Sequence, residues 1–335
     1  MNKSKIYMAF SLIITIILIL TAIYINCFKK FDFIPLIKEI TSKTKLIDYN
    51  TDHNQALDVI EYAKQKGIKI PKIMVNFDTH SDIIINFPTV SNGKSNIENW
   101  INEYIAQNPE VDEIYWVMPD KEARDFKIQL SLSEPRLEGI EKGAPLAGNI
   151  IDEKFPRTQF IFKPLYKEPF IQEFLIDPKT GKMNEYIEDL EITKTFFDPT
   201  ISYKKVKIIT CTESTLPDFT GKEVFLSIDA DYISNSGFDT DEDWTNNLTE
   251  KEMIAELFKM FTTIKNKNIR PEVISLSLSP QYLPQEDHEF ITKFFNYVIQ
   301  ESGNIDEIHT YKNKFNNDNI IPYQIKNIRS DFGKN

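Results

Sequence analysis

Along most of the chain, short apolar runs of strand length alternate with stretches whose apolar residues recur every three to four positions. That alternation is what a parallel sheet covered by helices requires. The strand runs are Leu46 to Tyr49, Lys72 to Phe77 (KIMVNF), Glu113 to Met118 (EIYWVM), Val206 to Cys211 (VKIITC), Glu223 to Ile228 (EVFLSI) and Glu272 to Leu278 (EVISLSL). Gln55 to Lys66 has helical spacing and stops at Gly67, where a C-cap is expected; further helices are predicted over Ile97 to Ala106 and about 249–266. Between about 120 and 205 the proline-punctuated segments QLSLSEP, TQFIFKPLY and QEFLIDP break the rhythm and predict a β-rich antiparallel insertion. Residues 31–45 read as a connector, and 46–335 as one catalytic domain.

One run has no polar face. Ile6 to Phe28 is 23 residues without a charge, long enough as a helix to cross the roughly 30 Å hydrocarbon core. It predicts a single-pass membrane anchor over 1–30. The run is longer than a signal-peptide core and no small-x-small site follows it; a cleaved signal peptide, or a lipoprotein modified at Cys27, is the alternative. Lys3 and Lys5 before it and Lys29 and Lys30 after it nearly balance the positive-inside rule. Those four lysines carry +4 of a total of −11, so the rest of the chain carries −15. The expected arrangement is an acidic domain held outside a bacterial membrane.

With 41% hydrophobic and 27% charged residues, the chain can bury a sizeable core, and its acidity excludes a phosphate-backbone binder. Nucleic acid is therefore not an expected partner. Only Cys27 and Cys211 are present, so neither a disulfide framework nor a thiolate metal site can be built. Any metal must be held by oxygen and imidazole.

Two strands run into acidic clusters. KIMVNF leads to Asp78-Thr79-His80-Ser81-Asp82, and EVFLSI leads to Asp229-Ala230-Asp231. Alternate residues of an extended segment share a side, so Asp78, His80 and Asp82 are expected to converge, as are Asp229 and Asp231. Both clusters follow strand ends, where ligands bind in open α/β sheets. Four carboxylates around one point repel unless cations offset them, and two divalent ions would do so. Oxygen with imidazole suits Mn2+ best, with Zn2+, Fe2+ or Mg2+ as alternatives. Asp239, Asp241, Glu242 and Asp243 imitate a calcium loop but lack its glycine and closing glutamate.

The segments NFDTHSD, LSIDADYIS and NTDHNQAL resemble the arginase/deacetylase superfamily, and more closely the branch that includes peptide arginases, which hydrolyse arginine side chains within peptides. Asn96 to Trp100, YWVMP at 115–119 and SLSPQYLP at 277–284 extend the resemblance. It implies a three-layer α/β fold and a binuclear manganese centre with Asp78, His80, Asp82, Asp229 and Asp231 as ligands. His53, in Asp52-His53-Asn54, matches the sixth ligand, although Asn50 and Thr51 stand where the family has a glycine pair.

In such a centre the two ions share a water, lower its pKa towards neutrality and turn it against an electrophilic carbon. Asp82 matches the carboxylate that orients this water and shuttles its proton. Glu252, in Leu248-Thr249-Glu250-Lys251-Glu252, resembles the glutamate that grips a guanidinium, though the same pattern is an ordinary helix start; Asn99 is a further substrate-binding candidate. No histidine lies between His80 and His288, and the loops that grip a free amino acid are not recognisable. The expected function is hydrolysis of a non-peptide C–N bond in a guanidinium or amide on a larger molecule, such as a peptidyl arginine. The alternatives are a deacetylase-like amidohydrolase using one zinc or iron ion, and a membrane-tethered metal-binding module without turnover.

Overall fold

The computed structural model describes residues 31–83, 99–119, 127–131, 158–162, 168–185, 198–235, 248–303 and 307–310. The expected anchor over 6–28, the acidic run at 239–243 and most of the 120–205 insertion lie outside the described residues.

Helix α1 (Phe33–Ile40) comes first, followed by strand β1 (Leu46–Asn50), α2 (Ala56–Gln65), β2 (Ile73–Phe77), α3 (Trp100–Gln107) and β3 (Glu113–Met118). Next are β4 (Lys127–Ser131), β5 (Thr158–Phe162), β6 (Phe170–Ile176), β7 (Met183–Glu185), β8 (Lys204–Thr212) and β9 (Val224–Asp229). Helix α4 (Glu250–Asn266), β10 (Val273–Ser277), α5 (His288–Glu301) and β11 (Glu307–Thr310) complete the described elements.

Among the described residues the main sheet has nine strands in the order β11-β1-β10-β9-β2-β3-β8-β6-β7. Every pairing from β11 to β8 is parallel, whereas β6 runs antiparallel to β8, and β7 to β6. Strands β4 and β5 form a separate antiparallel pair. The antiparallel character expected of 120–205 is thus present in its described strands, two of which extend the main sheet.

Residues 31–45 are more than a connector. Phe33, Leu36, Ile37 and Ile40 fall on one side of α1 and join the core packed against α4 and α5. Pro35 is tolerated because it sits in the first helical turn, where backbone N–H groups have no intrahelical acceptor. Helix α2 ends as expected: Gly67 takes φ +74°, and the N–H groups of Gly67 and Ile68 bond back to Lys64 and Ala63.

The two faces of the sheet differ in chemistry. Towards α1, α4 and α5 the strands present apolar side chains throughout, including Ile47, Val75, Val117, Leu226 and Ile274. Towards α2 and α3 only the first row is wholly apolar: Leu46, Val273, Phe225, Met74, Ile114 and Ile208 lie in register. The next row is Asp48, Ser275, Ser227, Asn76, Trp116 and Thr210, and beyond it come Asn50, Ser277 and Asp229. All are buried. Buried polar groups persist only where hydrogen bonds or ions compensate the lost water, so this belt marks where the sheet stops being core.

Candidate metal centre

Strands β2 and β9 are neighbours, yet the chain continues from β2 to β3 on one side and from β9 to β10 on the other. Opposite departures leave a crevice at the carboxyl ends of these two strands, the topological switch point of an open α/β sheet. Asp78 directly follows β2 and Asp229 closes β9. His53 arrives from a third direction. It opens the 3-10 turn His53–Gln55 between β1 and α2, where Gln55 Oε1 accepts the backbone N–H groups of Thr51 and Asp52 and holds the bend.

The His53 ring is fully buried. Its Nδ1 lies 3.1 Å from Asp78 Oδ2, 2.8 Å from Asp82 Oδ2 and 2.9 Å from Asp229 Oδ2. Its Nε2 lies 2.8 Å from Ser227 Oγ. Despite the three short contacts, Nδ1 makes no hydrogen bond of acceptable geometry. One proton could serve one oxygen, whereas a lone pair at Nδ1 would face three anions. A cation resolves both problems. Donors at about 2.1 Å from a metal and at right angles to each other stand about 3 Å apart, which is the observed spacing.

Each of the three oxygens facing Nδ1 also accepts one hydrogen bond from a neutral donor. Asn76 Nδ2 reaches Asp78 Oδ2 at 3.0 Å, Trp100 Nε1 reaches Asp82 Oδ2 at 2.6 Å, and Ser279 Oγ reaches Asp229 Oδ2 at 2.6 Å. A carboxylate oxygen has two lone-pair directions, so a donor on one leaves the other for a metal. Trp100 packs its buried ring 4.8 Å from that of His53. The ring thus packs in the core while its Nε1 reaches the cluster.

A second group adjoins the first. Asp78, His80 and Asp231 also bring ligand atoms within 4.8 Å of one another, and Asp78 belongs to both sets. His80 Nδ1 lies 2.7 Å from Asp231 Oδ2, while the Thr79 backbone N–H donates to Asp231 Oδ1 at 3.2 Å and its Oγ1 to the Asp231 carbonyl at 2.9 Å. The half-exposed His80 side chain rests against Tyr282, ring centroids 4.6 Å apart, so the site opens on this side.

The expected convergence occurs, but not by strand alternation. The strand ends at Phe77, and Asp82 takes φ +49°, which turns its carboxylate back to His53 beside Asp78 while His80 goes to Asp231. The 3-10 turn Ala230–Tyr232 likewise separates Asp229, aimed at His53, from Asp231, aimed at His80. Of the other candidates, Asn99 is the buried N-cap residue of α3, directly before Trp100. Glu252 is not brought to the cluster. It is fully exposed, and its Oε2 accepts from the Thr249 backbone at 2.8 Å and the Thr249 hydroxyl at 2.6 Å, closing a capping box on α4. The helix start that the motif also describes is therefore present. His288 bonds through Nε2 to the Leu283 carbonyl and takes no part in the cluster.

The electrostatics express one shortage of positive charge. Burial and the neighbouring Asp82 push the Asp78 carboxyl up to about 6. Burial, with Asp229 and Asp78, pushes Asp231 up to about 8, and burial raises Asp82 as well. Burial opposes charge on His80, but the hydrogen bond and charge of Asp231 outweigh it and hold that imidazole up to about 10. His53 is raised well above its usual value, against burial, by the charges of Asp229 and Asp78. Groups that attract protons this strongly are groups that attract a metal cation.

Ser227, Asn76, Thr79, Ser279 and Tyr282 were not legible as site residues from the motifs. The usable signal was polar residues at alternate positions of otherwise apolar strands, as in FLSID, MVNFD and VISLS. Compared with family models and with curated proteins, the chain matches none.

Proposed function

We propose that this protein is a metal-dependent hydrolase of C–N bonds other than peptide bonds, similar in chemistry to ureohydrolases. His53, Asp78, Asp82 and Asp229 would hold one divalent ion, and Asp78, His80 and Asp231 a second, manganese being the first choice. The observation that carries the reading is His53 Nδ1, wholly buried, within 3.1 Å of three carboxylate oxygens and without a hydrogen bond to any of them.

Bound ions supply Lewis acidity that lowers the pKa of a water towards neutrality. The chain's own residues do the rest. Trp100 Nε1 fixes the Asp82 carboxylate, which receives a proton from the attacking water and returns it to the departing nitrogen. Asn76 and Ser279 fix Asp78 and Asp229 in the same manner, and the buried belt of Ser227, Ser275 and Asn50 keeps bulk water away from the inner side. Substrate enters past His80 and Tyr282. The acidic surroundings favour a cationic group such as a guanidinium, here on a larger molecule such as a peptidyl arginine outside a bacterial membrane, with 6–28 as the anchor.

The test is elemental analysis of the purified full chain together with product analysis. Two ions per chain and urea released from an arginine-containing peptide support the reading. One zinc or iron ion with acetate release favours the deacetylase-like alternative, and bound metal without turnover favours a binding module. Asp229→Ala or Asp231→Ala must lower the metal content sharply, and unchanged content contradicts the site.

A further inference from the structure

Among the described residues three non-glycine positions have positive φ: Asp82 at +49°, Asn268 at +55° and Ser279 at +46°. Asn268 follows the C-terminus of α4, where a left-handed residue is the ordinary way to end a helix. Asp82 and Ser279 are in the candidate metal centre. Serine has no intrinsic preference for this region, which glycine adopts freely, so a serine there must be retained by what its side chain does.

What Ser279 does is visible in its contacts. Its backbone N–H donates to the Thr51 carbonyl at 2.8 Å, and the preceding Leu278 N–H donates to Asn50 at 3.0 Å, stitching the exit of β10 to the exit of β1. Its carbonyl accepts the Tyr282 N–H at 2.9 Å, closing the turn that sets the Tyr282 ring against His80. Its Oγ, fully buried, donates to Asp229 Oδ2 at 2.6 Å, on the oxygen that faces His53 Nδ1.

We infer that Ser279 is a positioning residue of the metal centre. Its left-handed backbone is held so that the hydroxyl occupies one lone-pair direction of Asp229 Oδ2 and directs the other at the cation. This rests on the metal reading above and adds to it a residue that touches no ion. Its role is separable from fold maintenance because glycine relieves the backbone strain and removes the hydroxyl, whereas alanine removes the hydroxyl and keeps the strain.

The experiment uses the purified full chain, stripped by a chelator and titrated with Mn2+ alone, free Mn2+ being read by electron paramagnetic resonance. Thermal unfolding of the stripped protein is recorded in parallel. Both Ser279→Gly and Ser279→Ala are expected to weaken Mn2+ binding by tenfold or more, the usual effect of losing a group that orients a metal ligand. The stripped Gly variant is expected to unfold no lower than the wild type. Wild-type affinity in either variant overturns the assignment, and so does a Gly variant whose weaker binding is matched by a lower unfolding temperature. A wild-type chain that takes up no divalent ion overturns the functional reading itself, which a result confined to the variants does not.

Discussion

Replacing Asp78 with asparagine should have opposite effects on the stripped and the loaded protein. Asp78 is fully buried, with Oδ2 3.1 Å from His53 Nδ1, and its carboxyl is raised from an ordinary 3.8 to about 6 by burial and the charge of Asp82. A folded-state pKa above the unfolded one means that the neutral form favours folding. That contribution is complete below pH 4 and is lost as the pH rises through 6. At pH 8 an ionised Asp78 therefore costs about 3 kcal/mol. Coulomb repulsion is of the same order: two carboxylates with ligand oxygens within 4.8 Å of each other, at an effective dielectric near 20, repel by about 3 kcal/mol or more.

An amide removes this repulsion at the price of one acceptor. The loss can be made good, because Asn76 Oδ1 has no hydrogen-bond partner and that amide can turn to accept from the new Nδ2. Allowing about 1 kcal/mol for imperfect bonds, stripped Asp78→Asn should be more stable than the wild type by about 2 kcal/mol at pH 8, with no gain at pH 4. Mn2+ should then stabilise the wild type and leave the variant unmoved. Urea unfolding at both pH values, with chelator and with Mn2+, measures all four quantities. A stripped variant less stable than the wild type at pH 8 would refute the picture of carboxylates forced together for a cation.

Four further outcomes follow from the same geometry. Mn2+ at one hundred times its dissociation constant should stabilise the wild-type chain by about 2.7 kcal/mol, and a melting temperature indifferent to metal and chelator argues against the centre. Trp100→Phe keeps an aromatic ring beside His53 but removes the donor to Asp82, so Mn2+ affinity should fall roughly 10- to 100-fold while the chain still folds. Burial pushes the Asp48 carboxyl, outside the cluster, up to about 7, so Asp48→Asn should stabilise the protein by a few kcal/mol at pH 8 and add nothing at pH 4; equal effects at both pH values would count against it. Glu252→Ala should lower stability slightly through the lost cap and leave any hydrolysis intact, whereas abolished turnover with unchanged metal content would restore Glu252 to substrate binding.

Local signals in the chain were strongest where one face of an element is uniformly buried. Strand Glu113–Met118 has the bounds that its apolar run predicts, and α2 stops at Gly67 as its C-cap requires. Helix α1 carried the same kind of signal in Phe33, Leu36, Ile37 and Ile40, but proximity to the long apolar run made it read as a connector. Five ligand candidates were recognisable from DxHxD and DxD, and His53 only through the resemblance carried by its DHN triplet. Most of what they contact was not, because Ser227, Trp100 and Ser279 meet their partners across 174, 18 and 50 positions, Asn76 alone being local to Asp78.

The sequence by itself therefore determined which segments become strands, which side chains can bind a cation, and that sulfur is not among the donors, since these depend on residue type and short-range period. Only the tertiary structure decided that β2 and β9 lie side by side, that His53 swings in from β1, and that Asp78 is shared while Asp82 and His80 part company. Strand order and left-handed backbone at Asp82 and Ser279 arise from packing across the whole sheet. No local pattern encodes them, because contacts that hold them reach across 174 and 50 positions of the chain.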